Sequence, residues 1–169
     1  REPTQIICRK LSLSKPLSRA ESRRNDADET RNNILDVATS EFADKGLSGA
    51  RIDEIAEKTN SSKRMIYYYF GGKDELYRAV LGRSYASIRA QEEDAGFEDL
   101  PADEALRAII GHTFDYHAQH PEFVRLVMNE NIHHGEHIAH VDGLKERNRS
   151  VIAALKAIVD KGVAQGLFR

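Results

Sequence analysis

Ser61, Ser62, Lys63, Arg64, Tyr67, Tyr68 and Tyr69 bring two hydroxyls, two cations and three phenols into one short stretch, and Lys73 follows a Gly71-Gly72 break. Consecutive residues on a helix lie about 100° apart, so three successive aromatics cannot share a face and at least one tyrosine points outward beside the cations. The surface such a group can bind is rich in acceptors. Lysine and arginine hydrogen-bond guanine O6 and N7, tyrosine hydroxyls donate to phosphate oxygens, and the free N–H groups at a helix start do likewise. A basic pair is ordinarily a solvated helix face, and a YYYF run is ordinarily aromatic core. What favours duplex DNA over both is the Asn60-Ser61-Ser62 turn directly ahead, which suits a helix entering a major groove by its N-terminal end.

Holding those side chains at a groove takes two short helices joined by a tight turn, and the flanking pattern supplies them. A first helix is expected from Asp28 or Thr30 to Lys45, with Ile34, Leu35, Ala38 and Phe42 on one face and Gly46 as its stop. ARIDEIAEKT forms a second, offering Ile52, Ile55 and Ala56 to that face, with Asp53 and Glu54 in its first turn where the dipole favours acids. Asn60, tolerant of the left-handed conformation, makes the bend, and Ser61 or Ser62 caps a third helix over Lys63 to Tyr69.

The rest is also helical. KDELYRAVLGRSYASIRAQEED carries Leu76, Val80, Ser84 and Ile88 on one side; after GFEDLP, with Asp99 as a cap and Pro101 in a first turn, ADEALRAIIGHTFDYHAQH turns Leu106, Ile109, Ile110, Thr113, Phe114 and His117 inward. Pro121 separates EFVRLVMNEN, Gly135 interrupts again, and a last helix is expected from about Glu136 to Val163. No alternating run reads as a strand, so the fold class is all-α. Residues 1–27, rich in Ser, Arg, Lys and Pro without apolar period, read as a basic disordered arm.

From ILDVATSEF to YRAVL the sequence resembles the DNA-binding domain of the tetracycline-repressor-like (TetR) family of transcriptional regulators. The likeness is carried by Gly46, Ile52, Ile55, Ala56, Ser62, Ile66, Tyr67, Tyr69, Phe70, Lys73 and Leu76. It is strong from about Thr30 to Leu81 and architectural beyond. It implies a three-helix helix-turn-helix domain over 28–72 followed by a helical ligand-binding and dimerisation domain over 73–169. The implied function is sequence-specific regulation, a repressor homodimer released from a palindromic operator on double-stranded DNA by a small-molecule effector. Tyr67, Tyr69 and Lys73 would contact phosphates, Lys63, Arg64 and Tyr68 would face bases, and Ser62 would cap and touch phosphate.

Departures from the family pattern matter. Ala50-Arg51 stands where Thr is usual, leaving Gly49 as a weaker cap and Arg51 placed to reach a phosphate; Asn60 replaces a turn glycine, Arg64 a small residue and Tyr69 a histidine. The operator sequence therefore does not follow by analogy. In the second domain, inward faces of mixed chemistry nominate Tyr85, Ile88, Ile109, Thr113, Phe114, His117, Phe123, Val127 and Asn131 as effector contacts, although each also suits plain core. Relatives of this kind typically continue into two further helices that form the dimer, whereas this sequence finishes IVDKGVAQGLFR; a fragment and a short variant both fit, the latter either pairing through its sixth and seventh helices or binding with poor affinity.

Other classes fare poorly. The 169 residues, 40% hydrophobic and 31% charged, can bury a substantial core. The net charge of −2 hides a basic opening to Arg24 and an excess of acids after Leu81, where all seven histidines lie. A lone Cys8 rules out an internal disulfide, and no apolar run approaches a bilayer span, so a soluble cytoplasmic protein with no membrane partner is expected. GxSxG, HExxH and a glycine-rich phosphate loop are all missing, so neither an enzyme nor a cofactor is expected. His133 and His137, four apart beside Glu130 and Glu136, invite a metal, but Gly135 breaks the helix that would hold them, and no metal is assigned. The competing function is a helical ligand-binding or protein-interaction module without DNA recognition.

Overall fold

The computed structural model describes residues 19–169. Among these residues seven α-helices run α1 (Arg19–Gly49), α2 (Ile52–Lys58), α3 (Lys63–Phe70), α4 (Lys73–Asp94), α5 (Ala102–Gln119), α6 (Pro121–Ile132) and α7 (Leu144–Ala164), with short 3-10 turns at Phe97–Asp99 and Ile138–His140. Among the described residues there is no strand, as the apolar periodicity requires. Residues 1–18 of the expected arm, Cys8 included, lie outside the described residues.

One core unites α1 to α4 and α6. Ile34, Leu35, Ala38 and Phe42 of α1 meet Ile52, Ile55 and Ala56 of α2, Ile66 of α3, and Leu76, Tyr77, Val80 and Leu81 of α4. Leu126 of α6 enters the same cluster, so α6, which lies along α1, shares a core with the helix-turn-helix. A second, smaller cluster joins Ile88, Tyr116 and Phe123, with Tyr85 and Val127 against it.

Several boundaries differ from the sequence expectation, each for a local reason. α1 begins at Arg19, not at Asp28 or Thr30, so residues 19–27 of the expected arm are helical. The sequence holds no proline or glycine between Leu17 and Lys45, and the Thr30 hydroxyl bonds back to the Asp26 carbonyl at 2.8 Å instead of capping. Gly46, at φ 66°, does break the helical run, as its position suggested. Arg51, not Gly49, sits at the start of α2, in an extended conformation and without a side-chain cap. Asp99 likewise caps nothing: its N–H closes the 3-10 turn on Gly96, and Pro101 takes the cap position of α5.

The last helix starts at Leu144, eight positions after the expected Glu136, because the chain must first turn through left-handed His134, Gly135 and Gly143. Buried Glu130 holds that turn by accepting the backbone N–H groups of His137 (3.2 Å) and Ile138 (2.9 Å). α5 is rolled so that Ala102, Ala105 and Tyr116 are buried, which leaves Ile110 61% and Phe114 72% exposed and His117 exposed as well, contrary to the inward placement expected for all three. Tyr116 sets the roll: its ring stacks on His120 with 4.0 Å between centroids and meets Phe123 edge-on at 5.6 Å.

Candidate nucleic-acid interface

α3 owes its exposure to how little of it the core needs. Ile66 is its one fully buried side chain, inserted between α1, α2 and α4. Asn60 makes the preceding bend at φ 50°, and Ser62, extended, accepts the Met65 N–H at 3.2 Å, so the cap falls on the second of the two candidate serines. Ser61 directs its hydroxyl to the Thr59 carbonyl at 3.4 Å and stabilises the turn. The rest of the helix is free to meet another surface.

Arg64 is exposed, Tyr68 is 82% exposed and Tyr67 52%. Tyr69 is the phenol that braces the core: half-buried, it presents its ring edge to Tyr68 at 5.4 Å and to Phe70 at 6.4 Å. Lys63 and Arg51 both flank Asp53, at 2.5 and 3.9 Å, in two exposed surface bridges that a phosphate can replace at little cost. Lys73 opens α4 within 3.5 Å of the Ser48 carbonyl, on the flank formed by the α1–α2 connection. From Thr59 to Lys73 the sequence contains no carboxylate, so the acid that opposes the cations of α3 is Asp53, supplied from α2.

Two contacts behind the face escaped the sequence reading. Arg31 of α1 lies over the Phe70 ring, 5.3 Å from its centroid, clamping the end of α3. Glu41, with its side chain 6% exposed, pairs with Lys45 (2.7 Å) and Lys58, tying α1 to α2; these lysines hold its carboxyl below the ordinary range against the opposing effect of burial. The i,i+4 spacing of Glu41 and Lys45 could have revealed half of this, but Lys58 is distant in sequence.

In the second domain, a cavity of about 530 Å³ opens between α4, α5, α6 and α7. It gathers Tyr85, Ile88, Ile109, Thr113, His117, Phe123 and Val127 of the nominated effector contacts. Phe114 and Asn131 are not among them: Phe114 faces solvent through the roll of α5, and Asn131 is exposed on the last turn of α6. Missing from the expectation were Arg89, Glu92 and Asn148, whose polar type concealed that they line the wall, and the apolar Val124, Met128, Val151, Ile152 and Leu155 of α6 and α7. A second lobe of about 430 Å³ adjoins, lined by Phe97, Ala154 and Ile158 among others.

The histidine-rich bend is organised by Glu130. This carboxylate also faces His137 Nδ1 at 3.2 Å and acts on Tyr77, whose hydroxyl is pushed well above the ordinary range by burial first and the Glu130 charge second. His133, His134 and Glu136 are exposed or nearly so, and no group of three or more metal-ligating side chains is gathered among the described residues.

Comparison with known proteins fits this geometry. Residues 34–80 match the model of bacterial regulatory proteins, tetR family, and residues 103–169 match the tetracyclin repressor-like C-terminal domain. The chain is 38% identical to the HTH-type transcriptional repressor NicS of Pseudomonas putida over 87% of its own length and 69% of that protein's. The chain belongs to the TetR family. It is also 32% identical to the HTH-type transcriptional repressor SCO4008 of Streptomyces coelicolor, over 82% of this chain and 69% of that one. Among solved structures, the TetR family regulator PfmR of Thermus thermophilus superposes with a TM-score of 0.64 at 25% identity, covering 80% of this chain and 73% of the other. This TetR-family chain is accordingly a transcriptional regulator whose α2 and α3 are the helix-turn-helix of its DNA-binding domain.

Proposed function

We propose that this TetR-family regulator is a repressor that holds a palindromic operator as a homodimer and leaves it when a small molecule enters the cavity between α4 and α7. The observation that carries the reading is the exposure of Arg64, Tyr67 and Tyr68 on a helix whose one fully buried side chain is Ile66. In this reading Arg64, Lys63 and Tyr68 face base edges, while Arg51, Ser62, Tyr67 and Lys73 grip the backbone to either side, and Ser61 and Tyr69 hold the turn and the helix that present them. The repressor names of two relatives, NicS and SCO4008, support the direction of control.

Release follows from where α6 sits. Val127 of α6 lines the cavity, whereas Leu126 enters the α1–α4 core, Arg125 pairs with Asp44 of α1, and Asn129 reaches the Phe42 carbonyl at 3.4 Å. A ligand that displaces α6 therefore pushes on the helix carrying the helix-turn-helix and changes the separation of two recognition helices. Selection from random duplexes, followed by fluorescence anisotropy at several salt concentrations, tests the proposal. It should yield a two-fold site and a steep loss of affinity with salt. A shallow, salt-insensitive interaction with no enriched site would remove DNA recognition and leave a ligand-binding or interaction module.

A further inference from the structure

We propose that the protein carries a second small-molecule site, for a compact polyphosphate group, in the groove where α1, α4 and the start of α7 meet. The groove has a volume of about 700 Å³, ample for a nucleotide-sized ligand, and four arginines line it: Arg31 of α1, Arg78 and Arg83 of α4, and Arg147 of α7. It shares no wall residue with the cavity between α4 and α7, and none of Lys63, Arg64 and Lys73 lines it. The two sites are therefore separate from each other and from the DNA-binding face.

The guanidiniums differ in what they have left to offer. Arg83 is fully engaged, donating to Asp36 Oδ1 at 2.7 Å and to the Thr39 hydroxyl at 3.0 Å, so it supplies charge and not a free fork. Arg78 donates one terminal nitrogen to Glu75 at 2.7 Å. These are the groove's two ion pairs among the described residues, which leaves Arg31 and Arg147 without a carboxylate. Arg31 is nonetheless held in place, because its guanidinium lies 5.3 Å over the Phe70 ring, and a planar fork stacked by its face keeps its N–H edges for an anion. Arg147 stands exposed in the first turn of α7, whose N-cap is Gly143 and which no side chain caps. Against the four guanidiniums stand Glu75 and Asp142 in the walls and Asp36 behind Arg83, so the groove is net positive in a chain whose net charge is −2. A single carboxylate or sulfate satisfies one fork and leaves the others facing each other across the groove. Linked phosphates present oxygens to Arg31, Arg78 and Arg147 together, and the apolar floor of Leu35, Ala79 and Val141 has room for a nucleoside behind them.

Calorimetric titration with inorganic tripolyphosphate, magnesium-free ATP, adenosine and sulfate at constant ionic strength tests the site. Tripolyphosphate and ATP should each bind about tenfold or more tightly than sulfate, and adenosine should give no heat. Tighter binding of ATP than of tripolyphosphate would place the nucleoside on the apolar floor, and equal binding would show that the phosphates alone are held; both support the site. Arg147→Gln should weaken tripolyphosphate about tenfold, as the loss of one charge-assisted hydrogen bond does, and Arg78→Gln should do the same if the first variant folds poorly. Lys73→Ala, on the DNA-binding face, should change nothing. Polyphosphate bound no more tightly than sulfate, or as tightly by both arginine variants as by the parent, overturns the proposal. So does its displacement by one equivalent of duplex DNA, which would move the anion to α3 and its neighbours. None of these failures touches the helix-turn-helix or the cavity between α4 and α7.

Discussion

Lys73 and Arg64 separate two ways in which a single side chain can hold DNA. Lys73, beside the Ser48 carbonyl at the edge of the face, meets only the backbone in the proposed complex, so Lys73→Ala should weaken binding to every duplex alike and lower the salt slope by about one unit. Arg64, exposed near the start of α3, is placed for base edges, and Arg64→Ala should change which sequences are preferred; equal losses on matched and mismatched duplexes would contradict that role. Stability and binding divide along the same helix. Ile66→Ala should cost about 2–5 kcal/mol in chemical denaturation, whereas Tyr68→Ala should stay within about 0.5 kcal/mol while binding falls. At this scale the sequence announced that the three tyrosines cannot share a face but not which of them braces the core. That choice depends on the roll of α3 about Ile66, and roll is fixed by α1 and α4 and not by α3 itself. The clamp of Arg31 on Phe70 was illegible for the same reason, since it joins residues that only the fold brings together.

Between helices, the bond of α1 to α2 through Glu41 should show in the pH dependence of stability. Its folded-state carboxyl is held below the ordinary value of 4.5 by hydrogen bonds from Lys45 and Lys58, so its contribution is complete above the unfolded value and is lost as pH falls through the folded one. Glu41→Gln should therefore be less stable than the parent at neutral pH, with the two melting temperatures converging in acid; a constant gap would show that the carboxylate is not the cause. Communication between domains has its own test. Arg125→Ala with Asn129→Ala removes the polar ties of α6 to Asp44 and Phe42 while keeping Leu126 in the core. DNA affinity without effector should persist, and the effector concentration needed for release should rise roughly fivefold or more in a competition assay. Helix existence was legible throughout from apolar period, but the ends and rolls were less so. The start of α1 was missed because a charged run without proline or glycine reads as an arm when its apolar face is absent. The roll of α5 was missed because Tyr116, one polar hydroxyl on a large ring, looked less like an anchor than Phe114.

For the molecule as a whole, a two-fold operator presents its half-sites about one duplex turn apart, ~34 Å or a multiple of it, so that both α3 helices face grooves on matching sides. Inserting about five base pairs between half-sites turns one of them to the far side of the duplex, and affinity should drop to that of a single half-site. Sedimentation of the complex should show two chains on the parent site and fewer on the lengthened one. The division into a DNA-binding part and a helical remainder was readable from the sequence, because the motif around Tyr67 to Lys73 is local. The shared core through Leu126 was not, since it requires a helix far along the chain to return to α1. The distribution of aromatics has a practical consequence too. The chain contains no tryptophan and six tyrosines, three of them on α3, so ultraviolet emission comes from phenols alone and half of these emitters ride on the helix that would meet the duplex. Docking can thus be followed optically without any label, and the dimming should stop at a plateau set by Tyr77, Tyr85 and Tyr116, which the duplex does not touch.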